Sequence, residues 1–184
     1  MIELDDFKPT DFQQLIEWID SEDFLVQWGG LGFSYPLDNE QLKTYIENTN
    51  HKSARDFIFA VRLKETGDTV GHISLRHIDQ ENKSARIAKV LVGNQHSRGQ
   101  GIGQQMIHDV LRIAFDHFQL HRVSLGVFDF NTPAIACYEK AGFTKEGLLR
   151  DCRKRGSDYW SLWEMSILEN EWRDNKSHLY EDYL

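Results

Sequence analysis

The clearest pattern of apolar and polar positions begins after a glycine-rich stretch near the middle of the chain. Ile102, Met106 and Val110 lie four residues apart, and Ile107 begins a second apolar row beside them. Polar residues fall on the opposite side of a helical projection, so the segment has one apolar and one polar face. This spacing predicts a long helix that runs from Ile102 to about Phe118 and buries its apolar side.

Two shorter helices are predicted near the N-terminus. Thr10 and Gln13 have the spacing of a capping box, and apolar residues follow at helical intervals as far as Ile19. A second helix is predicted to begin near Asp38. Between these helices, the segment Phe24–Pro36 is rich in aromatic residues and glycine. It reads either as a loop that covers the core or as one wall of a substrate pocket.

Several segments have the apolar or alternating pattern of β-strands. They run from Phe57 to Leu63, Thr69 to Ile78, Ala85 to Val92, Arg122 to Phe128, Phe143 to Leu149 and Tyr159 to Leu168. A further helix is predicted after Asn131, with Thr132 as its cap because Pro133 suits the first helical position, and with Gly142 at its end. The long helix lies between two strands, which implies a parallel crossover in a mostly antiparallel sheet. The predicted fold class is α/β, with a mixed sheet flanked by helices.

The segment Gln95–Gly103 joins the third predicted strand to the long helix. Gly99, Gly101 and Gly103 occupy alternate positions, which leaves backbone N–H groups uncovered by side chains at the start of a helix. Such donors, at the positive end of the helix dipole, suit a phosphate or a diphosphate. Arg98 adds a fixed positive charge beside them. We therefore predict that this loop holds a phosphate-bearing cofactor.

Two familiar phosphate-binding patterns do not fit this loop. A P-loop ends in Gly-Lys-Ser or Gly-Lys-Thr, but Gln104 follows Gly103. A dinucleotide fingerprint needs a glycine three residues after Gly101, and that position is also Gln104. Glycine loops before helices also occur as plain connections, so the pattern alone leaves a structural role open.

Composition narrows the class of protein. The chain has 184 residues, 40% of them apolar, which fits one domain over residues 1–184. A formal charge of −8 disfavours general nucleic-acid binding and is compatible with a cationic substrate. The N-terminus lacks the pattern of a signal peptide, and no apolar run reaches the length of a membrane span. Cys137 and Cys152 offer no disulfide framework and no metal-ligand spacing. We expect a cytoplasmic protein with no bound metal, no nucleic-acid partner and no membrane partner.

Two motifs in this chain resemble those of the GNAT superfamily of N-acetyltransferases. Val90–Val92 followed by Arg98–Gly103 is similar to the family's acetyl-CoA motif, and Asn131–Phe143 is similar to its next motif. Both stand in the family's order, with a helix and a strand between them. The resemblance covers residues 57–168 and is weakest before residue 57, where such enzymes build their acceptor sites. It implies a GNAT fold, and the chain looks most similar to the branch of ribosomal-protein and spermidine acetyltransferases.

The resemblance implies a role for each matching residue. Amides of the glycine turn would bind the diphosphate of acetyl-CoA, and backbone groups at the end of the preceding strand would pair with its pantetheine arm where two strands part. The implied cofactor-binding residues are Leu91, Val92, Arg98, Gly99, Gln100, Gly101, Ile102, Gly103 and Asn131. The implied catalytic residue is Tyr138, whose phenol is protonated at neutral pH and could protonate the departing thiolate.

The chemistry of the remaining groups leaves the base open. The attacking amine must be neutral, and Asp129, Glu139, Glu146 and His72 are all possible bases by residue type, as is a relay of waters. Cys137 invites an acetyl-cysteine intermediate. Because neighbours on a helix point about 100° apart, Cys137 and the tyrosine beside it are not both expected to face the thioester. We therefore expect direct transfer in a ternary complex, with a structural thiol at Cys137.

The predicted activity is transfer of an acetyl group from acetyl-CoA to a primary amine. The acidic charge favours a small cationic amine or a polyamine as acceptor. An aminoglycoside, a protein N-terminus and a role as a non-catalytic acyl-CoA-binding regulator stay open. Trp160, Trp163 and Trp172, read as exposed aromatic residues, make a homodimer an option. Residues 169–184 are predicted to form a short helix or a tail.

Overall fold

The computed structural model describes residues 1–93 and 99–174. The first of its two compact units consists of Met1–His77 and the described part of Ile87–Met106, and the second of Ile78–Arg86 and the described part of Ile107–Leu184. The strands are β1 (Ile2–Asp6), β2 (Phe57–Leu63), β3 (Thr69–Asp79), β4 (Ser84–Val92), β5 (Arg122–Phe128), β6 (Thr144–Arg155) and β7 (Asp158–Leu168). The helices are α1 (Phe12–Trp18), α2 (Glu22–Gly29), α3 (Asn39–Ile46), α4 (Ile102–Arg112) and α5 (Thr132–Lys140). A π-helical turn, Ile113–His117, continues α4.

The strands form one sheet in the order β1-β2-β3-β4-β5-β7-β6. The pairs β1–β2, β2–β3, β5–β7 and β6–β7 are antiparallel. Strand β4 pairs in parallel with β5, where Ser84–Arg86 lies opposite Arg122–Ser124. This arrangement confirms the predicted α/β class, with one parallel crossover in a mostly antiparallel sheet.

In the first unit, the three N-terminal helices bury their apolar faces against strand residues. Side chains at the centre of this cluster include Leu15 of α1, Leu25 of α2 and Leu42 of α3, each at most 1% exposed, together with Ile58 of β2. Helices α2 and α3 begin at side-chain caps, whereas Asp11 before α1 forms no cap hydrogen bond, so the capping box predicted at Thr10 and Gln13 is wrong. Asp38 accepts a hydrogen bond from the backbone N–H of Gln41, at 2.9 Å, which fixes the start of α3 where the sequence predicted it.

In the second unit, the helical segment after residue 106 buries one face completely. Val110, Leu111 and Phe115 are all 0% exposed, as the four-residue spacing predicted. Trp172 packs against Phe115 with ring centroids 5.9 Å apart and is only 4% exposed. The expectation that Trp172 is an exposed aromatic residue is therefore wrong, and the other two tryptophans of that set, Trp160 and Trp163, are partly buried.

The structure also corrects several element boundaries. Strand β1 was not predicted, and α2 occupies much of Phe24–Pro36, which was expected to be a loop. Asn131 rather than Thr132 caps α5, because its side-chain oxygen accepts from the N–H of Ala134 at 3.4 Å. Strand β6 runs to Arg155, beyond the predicted end at Leu149. Residues 169–174 are helical, and the rest of the predicted C-terminal tail lies outside the described residues.

Candidate active site

The glycine turn before α4 has the backbone that its sequence predicted. Gly99 and Gly101 both have φ of 78°, in the left-handed region where other residues are strained. A Cβ added at either position would meet nothing within 4 Å, so backbone conformation and not crowding requires glycine there. Both residues are exposed. The predicted site residue Arg98 lies outside the described residues.

The first turn of α4 has backbone amides next to the glycine turn that no helical hydrogen bond uses. The N–H of Gln105 donates to the carbonyl of Gly101 at 3.1 Å and so begins the helical hydrogen-bond ladder. The N–H groups of Ile102 and Gly103 precede that bond and have no acceptor within the helix. Open glycine backbone next to such amides fits an approaching diphosphate, because the donors point outward at the positive end of the helix.

The end of β4 is held closely against β3. A Cβ on Gly71 of β3 would come within 2.6 Å of the carbonyl oxygen of Leu91, so only glycine permits this approach. The N–H of Gly93 donates to the carbonyl of Val70 at 3.0 Å. Leu91 is buried and Val92 is partly buried. The backbone that the resemblance assigns to the pantetheine arm is therefore fixed by packing and hydrogen bonding on the β3 side.

Sequence reasoning missed Lys89, which lies two residues before Leu91 in β4. Lys89 has φ of 55°, which breaks the regular strand. Its carbonyl oxygen accepts from Trp28 Nε1 at 3.0 Å and lies 3.1 Å from His72 Nδ1. Its ammonium group donates to the carbonyl of Gly29 at 3.1 Å. A lysine inside the apolar run of β4 is the signal that could have pointed to this residue.

His72 is a core residue, which argues against its role as the base. It is 1% exposed and has aromatic neighbours, among them Phe7, whose ring centroid lies 4.8 Å away. Burial lowers the pKa of His72 to about 3, and the bond to the Lys89 carbonyl opposes that shift. A carbonyl only accepts, so we assign the proton to Nδ1. Nε2 is then an acceptor with no partner among the described residues.

The segment Phe24–Pro36 contributes both core cover and a partly exposed wall. Leu25 and Trp28 are buried, in agreement with the expectation of core cover. Phe33 stacks on Trp28 with ring centroids 5.6 Å apart and remains partly exposed. Leu31 is 75% exposed.

In the second unit, α5 positions the predicted catalytic residue. Tyr138 is 7% exposed and lies beside Phe143, with ring centroids 6.1 Å apart. Burial raises the pKa of Tyr138, and its neighbour Cys137 raises it further, so the phenol keeps its proton at neutral pH. Burial also raises the pKa of Cys137, which keeps that thiol from being a ready nucleophile.

Two of the candidate bases in this unit are held in ion pairs. Glu146 accepts from both terminal nitrogens of Arg122, at 2.7 and 2.6 Å, and from the Ser166 hydroxyl at 2.8 Å. Chiefly through the hydrogen bond from Arg122, the pKa of Glu146 falls to about 2. Glu139 lies 2.9 Å from Lys145 Nζ. Asp129 is exposed.

The predicted site residues thus fall into both units. Leu91, Val92 and Gly99–Gly103 belong to the first, and Asn131 and Tyr138 belong to the second. Among residues 1–93 and 99–174, no group of three or more His, Cys, Asp or Glu side chains could hold a metal ion. No helix in the same ranges is long and apolar enough to cross a membrane.

Comparison with known proteins supplies the family. Residues 2–144 match the family model described as an acetyltransferase (GNAT) domain. The uncharacterized N-acetyltransferase p20 of Bacillus licheniformis is 32% identical over 114 residues, which cover 62% of this chain and 63% of that protein. The putative ribosomal N-acetyltransferase YdaF of Bacillus subtilis is 30% identical over 110 residues, covering 60% and 59%. This chain thus spans about three fifths of the length of these relatives.

A solved structure has the same fold. The spermidine N-acetyltransferase from Vibrio cholerae, in complex with CoA and spermine, superposes with a TM-score of 0.79 at 21% identity, over 93% of this chain and 97% of that one. At that identity the likeness concerns the fold. The family model covers more than half of the chain and includes both the glycine turn and Tyr138, so this protein belongs to the GNAT acetyltransferase family.

Proposed function

We propose that this protein is an N-acetyltransferase that moves an acetyl group from acetyl-CoA to a primary amine. The observation that carries the proposal is the glycine turn, where Gly99 and Gly101 adopt left-handed backbone with open space beside them. Amides of Gly99–Gly103 would bind the diphosphate of acetyl-CoA, with Arg98 beside them. Family membership and the N-acetyltransferase names of two relatives support the same activity.

The thioester arm would pair with the backbone of Leu91 and Val92. Packing against Gly71 already fixes that backbone, so binding an extended arm there costs little reordering of the protein. Asn131 caps α5 and so holds the turn that leads to Tyr138. We also treat residues 1–184 as one acetyltransferase domain, since the family model takes in parts of both compact units.

Transfer would be direct, in a ternary complex. The neutral amine attacks the thioester carbonyl, the C–S bond breaks, and the departing thiolate takes a proton. Tyr138 is the proposed donor, because burial keeps its phenol protonated at neutral pH. Cys137 is unsuited to a covalent route, since burial holds its thiol protonated. With His72 in the core and Glu146 and Glu139 ion-paired, Asp129 and a relay of waters remain as candidates for removal of the amine's proton.

The overall charge does not distinguish between acceptors. Every aliphatic primary amine carries at least one positive charge at neutral pH before it loses its proton, so a net charge of −8 favours a single aliphatic amine as well as a polyamine. The Vibrio cholerae structure contains spermine, which makes a polyamine one candidate. The name of YdaF makes a ribosomal protein another.

Thiol release tests the proposal. Purified protein is mixed with acetyl-CoA and a panel of amines: amino acids, their carboxamides, polyamines, aminoglycosides and short peptides. Release of CoA that depends on one class of amine, with a matching gain of 42 Da on that amine, is the expected result. Binding of acetyl-CoA without turnover on any member would instead favour a non-catalytic acyl-CoA-binding regulator.

A homodimer is a further part of the proposal. Leu149 is 51% exposed and Tyr159 is 54% exposed, so β6 and β7 present apolar surface in the second unit. Light scattering on the eluting protein gives its mass directly, and a mass of one chain at micromolar concentration would remove the homodimer.

A further inference from the structure

Lys89 places an ammonium group against two aromatic rings in the first unit. Its Nζ lies 5.2 Å from the centroid of the Phe33 ring and 5.5 Å from that of the Tyr45 ring. It donates one hydrogen bond, to the carbonyl of Gly29 at 3.1 Å. An ammonium has three N–H donors, and the other two have no acceptor among residues 1–93 and 99–174. Lys89 and Phe33 are partly exposed, whereas Tyr45 is buried.

The charges around Lys89 do not cancel. The guanidinium of Arg76 lies 5.4 Å from the same Tyr45 ring, but Asp56 neutralises it at 2.7 Å. Within residues 1–93 and 99–174, no carboxylate forms an ion pair with Lys89. The two cations and one anion leave one positive charge at this place.

The ammonium is charged at neutral pH although its surroundings oppose the charge. Burial and, to a smaller extent, the nearby Arg76 together lower the pKa of Lys89 to about 8, with Asp56 opposing part of the shift. At pH 7 the protonated form still predominates. A partly desolvated cation without a counter-ion gains more than an exposed one from a bound anion, because water screens it less.

The aromatic rings near Lys89 are already in contact with cations of the protein itself. Lys89 lies against Phe33 and Tyr45, and Arg76 also lies against Tyr45, so the chain's own cations contact the rings that a substrate ammonium would use. A second ammonium brought here would meet like charge. A carboxylate would meet a cation with two available donors and form charge-assisted hydrogen bonds.

Lys89 lies close along the strand to the proposed reaction centre. Leu91, where the thioester arm is proposed to bind, follows two residues later in β4. A fully extended chain spans at most about 3.3–3.6 Å per residue, so the two Cα atoms lie within roughly 7 Å of each other even though the strand is irregular at Lys89. A small amine attacking the thioester could therefore extend a second group to the Lys89 ammonium.

We infer that Lys89 binds an anionic group on the acceptor, so that the preferred acceptor is an amine that also carries a carboxylate rather than a polyamine. The inference rests on the proposed N-acetyltransferase function and names its substrate class. It also limits what the overall charge can indicate. Charges farther than about 8–10 Å away are screened at physiological salt, so the lysine beside the substrate outweighs a net charge spread over the surface.

Matched acceptors test the inference. Amino acids and short peptides are compared with their carboxamides, which keep the amine and lose only the negative charge, and with spermidine. We expect kcat/KM for the carboxylate to exceed that for the carboxamide by about 10- to 100-fold, mostly through KM, as for a hydrogen bond to a charged group. Lys89→Met removes this preference, Lys89→Arg keeps part of it, and Lys89→Glu shifts the preference toward spermidine. The KM for acetyl-CoA stays the same in all three variants.

Lys43→Met is the matched control, because Lys43 is an exposed lysine of the same unit, 2.5 Å from Glu40. It should leave the carboxylate preference unchanged. A preference for carboxamides or spermidine in the unmodified protein, or an unchanged preference in folded Lys89→Met, would overturn the inference while N-acetyl transfer stands. If no amine is acetylated, the proposed N-acetyltransferase function is wrong. Calorimetry of the amino acid and its carboxamide with CoA present then decides the inference by the ratio of their affinities.

Discussion

The proposed acetyl-CoA site and the Lys89 cluster recognise their ligands in different ways. The glycine turn uses backbone amides, and its requirements are a left-handed conformation at Gly99 and Gly101 and open space beside them. The Lys89 cluster, made of Lys89 of β4, Trp28 of α2, Phe33 after α2, Tyr45 of α3 and Arg76 of β3, uses side chains that folding brings together. Trp28, for example, is 61 positions from the carbonyl to which it donates. Backbone recognition leaves a short motif in the sequence, whereas side-chain recognition leaves scattered residues that only the fold brings together.

Replacing the proposed proton donor should have the largest effect. Tyr138→Phe keeps the ring against Phe143 and removes the hydroxyl, so we expect kcat to fall by about 10²–10⁴-fold while acetyl-CoA affinity changes little. Steady-state kinetics and calorimetry measure the two quantities separately. Tyr159→Phe is the control, because Tyr159 is 54% exposed. Unchanged turnover in Tyr138→Phe would show that Tyr138 is not the proton donor.

A substitution in the glycine turn should act on binding. Gly101→Val places a β-branched residue at φ of 78°, which costs at least about 1–2 kcal/mol and forces the turn into another conformation. We expect acetyl-CoA affinity to fall by about 10- to 100-fold.

Gly67→Val separates binding from strain. Gly67 has φ of 76° in the turn between β2 and β3, with nothing within 4 Å of an added Cβ, so it carries the same backbone penalty. It should lower the melting temperature without changing acetyl-CoA affinity. Equal affinity losses in the two variants would show that the effect at Gly101 is only general destabilisation.

Close approach of β3 to β4 can be tested through stability. Gly71→Ala would place a Cβ 2.6 Å from the Leu91 carbonyl oxygen, and because that oxygen belongs to the backbone, strands must shift. We expect a loss of about 1–3 kcal/mol in the free energy of unfolding, as for overpacking. Denaturant melts measure it. Gly32→Ala is the control, since an added Cβ there meets nothing within 4 Å; similar losses in both would contradict the packing account.

These contrasts show why the sequence predicted one region better than the other. Local sequence patterns predicted the glycine turn and the exact bounds of two strands, Phe57–Leu63 and Arg122–Phe128. Helix α2 was missed although Ser21 caps it, because the aromatic and glycine residues around Trp28 are also typical of loops. Strand β1 is short and acidic, and its pairing with β2 depends on residues more than 50 positions away.

The Lys89 cluster was beyond sequence patterns for the same reason. A lysine in a strand is ordinary, and nothing near it in the chain shows that Phe33 and Tyr45 lie against it. The sequence also could not rank His72 among the possible bases, because residue type does not reveal burial. Only the fold shows that His72 is 1% exposed and binds a backbone carbonyl.

His72 makes stability depend on pH in a defined window. Its pKa is about 3 in the folded protein and about 6.5 when unfolded, so the unfolded chain binds more protons between these values. The contribution of His72 to stability is therefore full above pH 6.5 and is lost as pH drops toward 3, by up to about 1.4 kcal/mol per pH unit. His72→Phe should flatten this part of the profile, and His51→Gln, at an exposed histidine, should not. An unchanged slope in His72→Phe would show that other groups cause it.

Calorimetric titration with CoA and with pantetheine, which lacks the diphosphate and the adenosine 3′-phosphate attached to it, tests the central claim most directly. If amides of the glycine turn hold the diphosphate, CoA binds at micromolar concentrations and pantetheine at least about 100-fold more weakly, a difference of roughly 2.7 kcal/mol. Equal affinity for the two ligands, or no binding of CoA at all, would contradict the account.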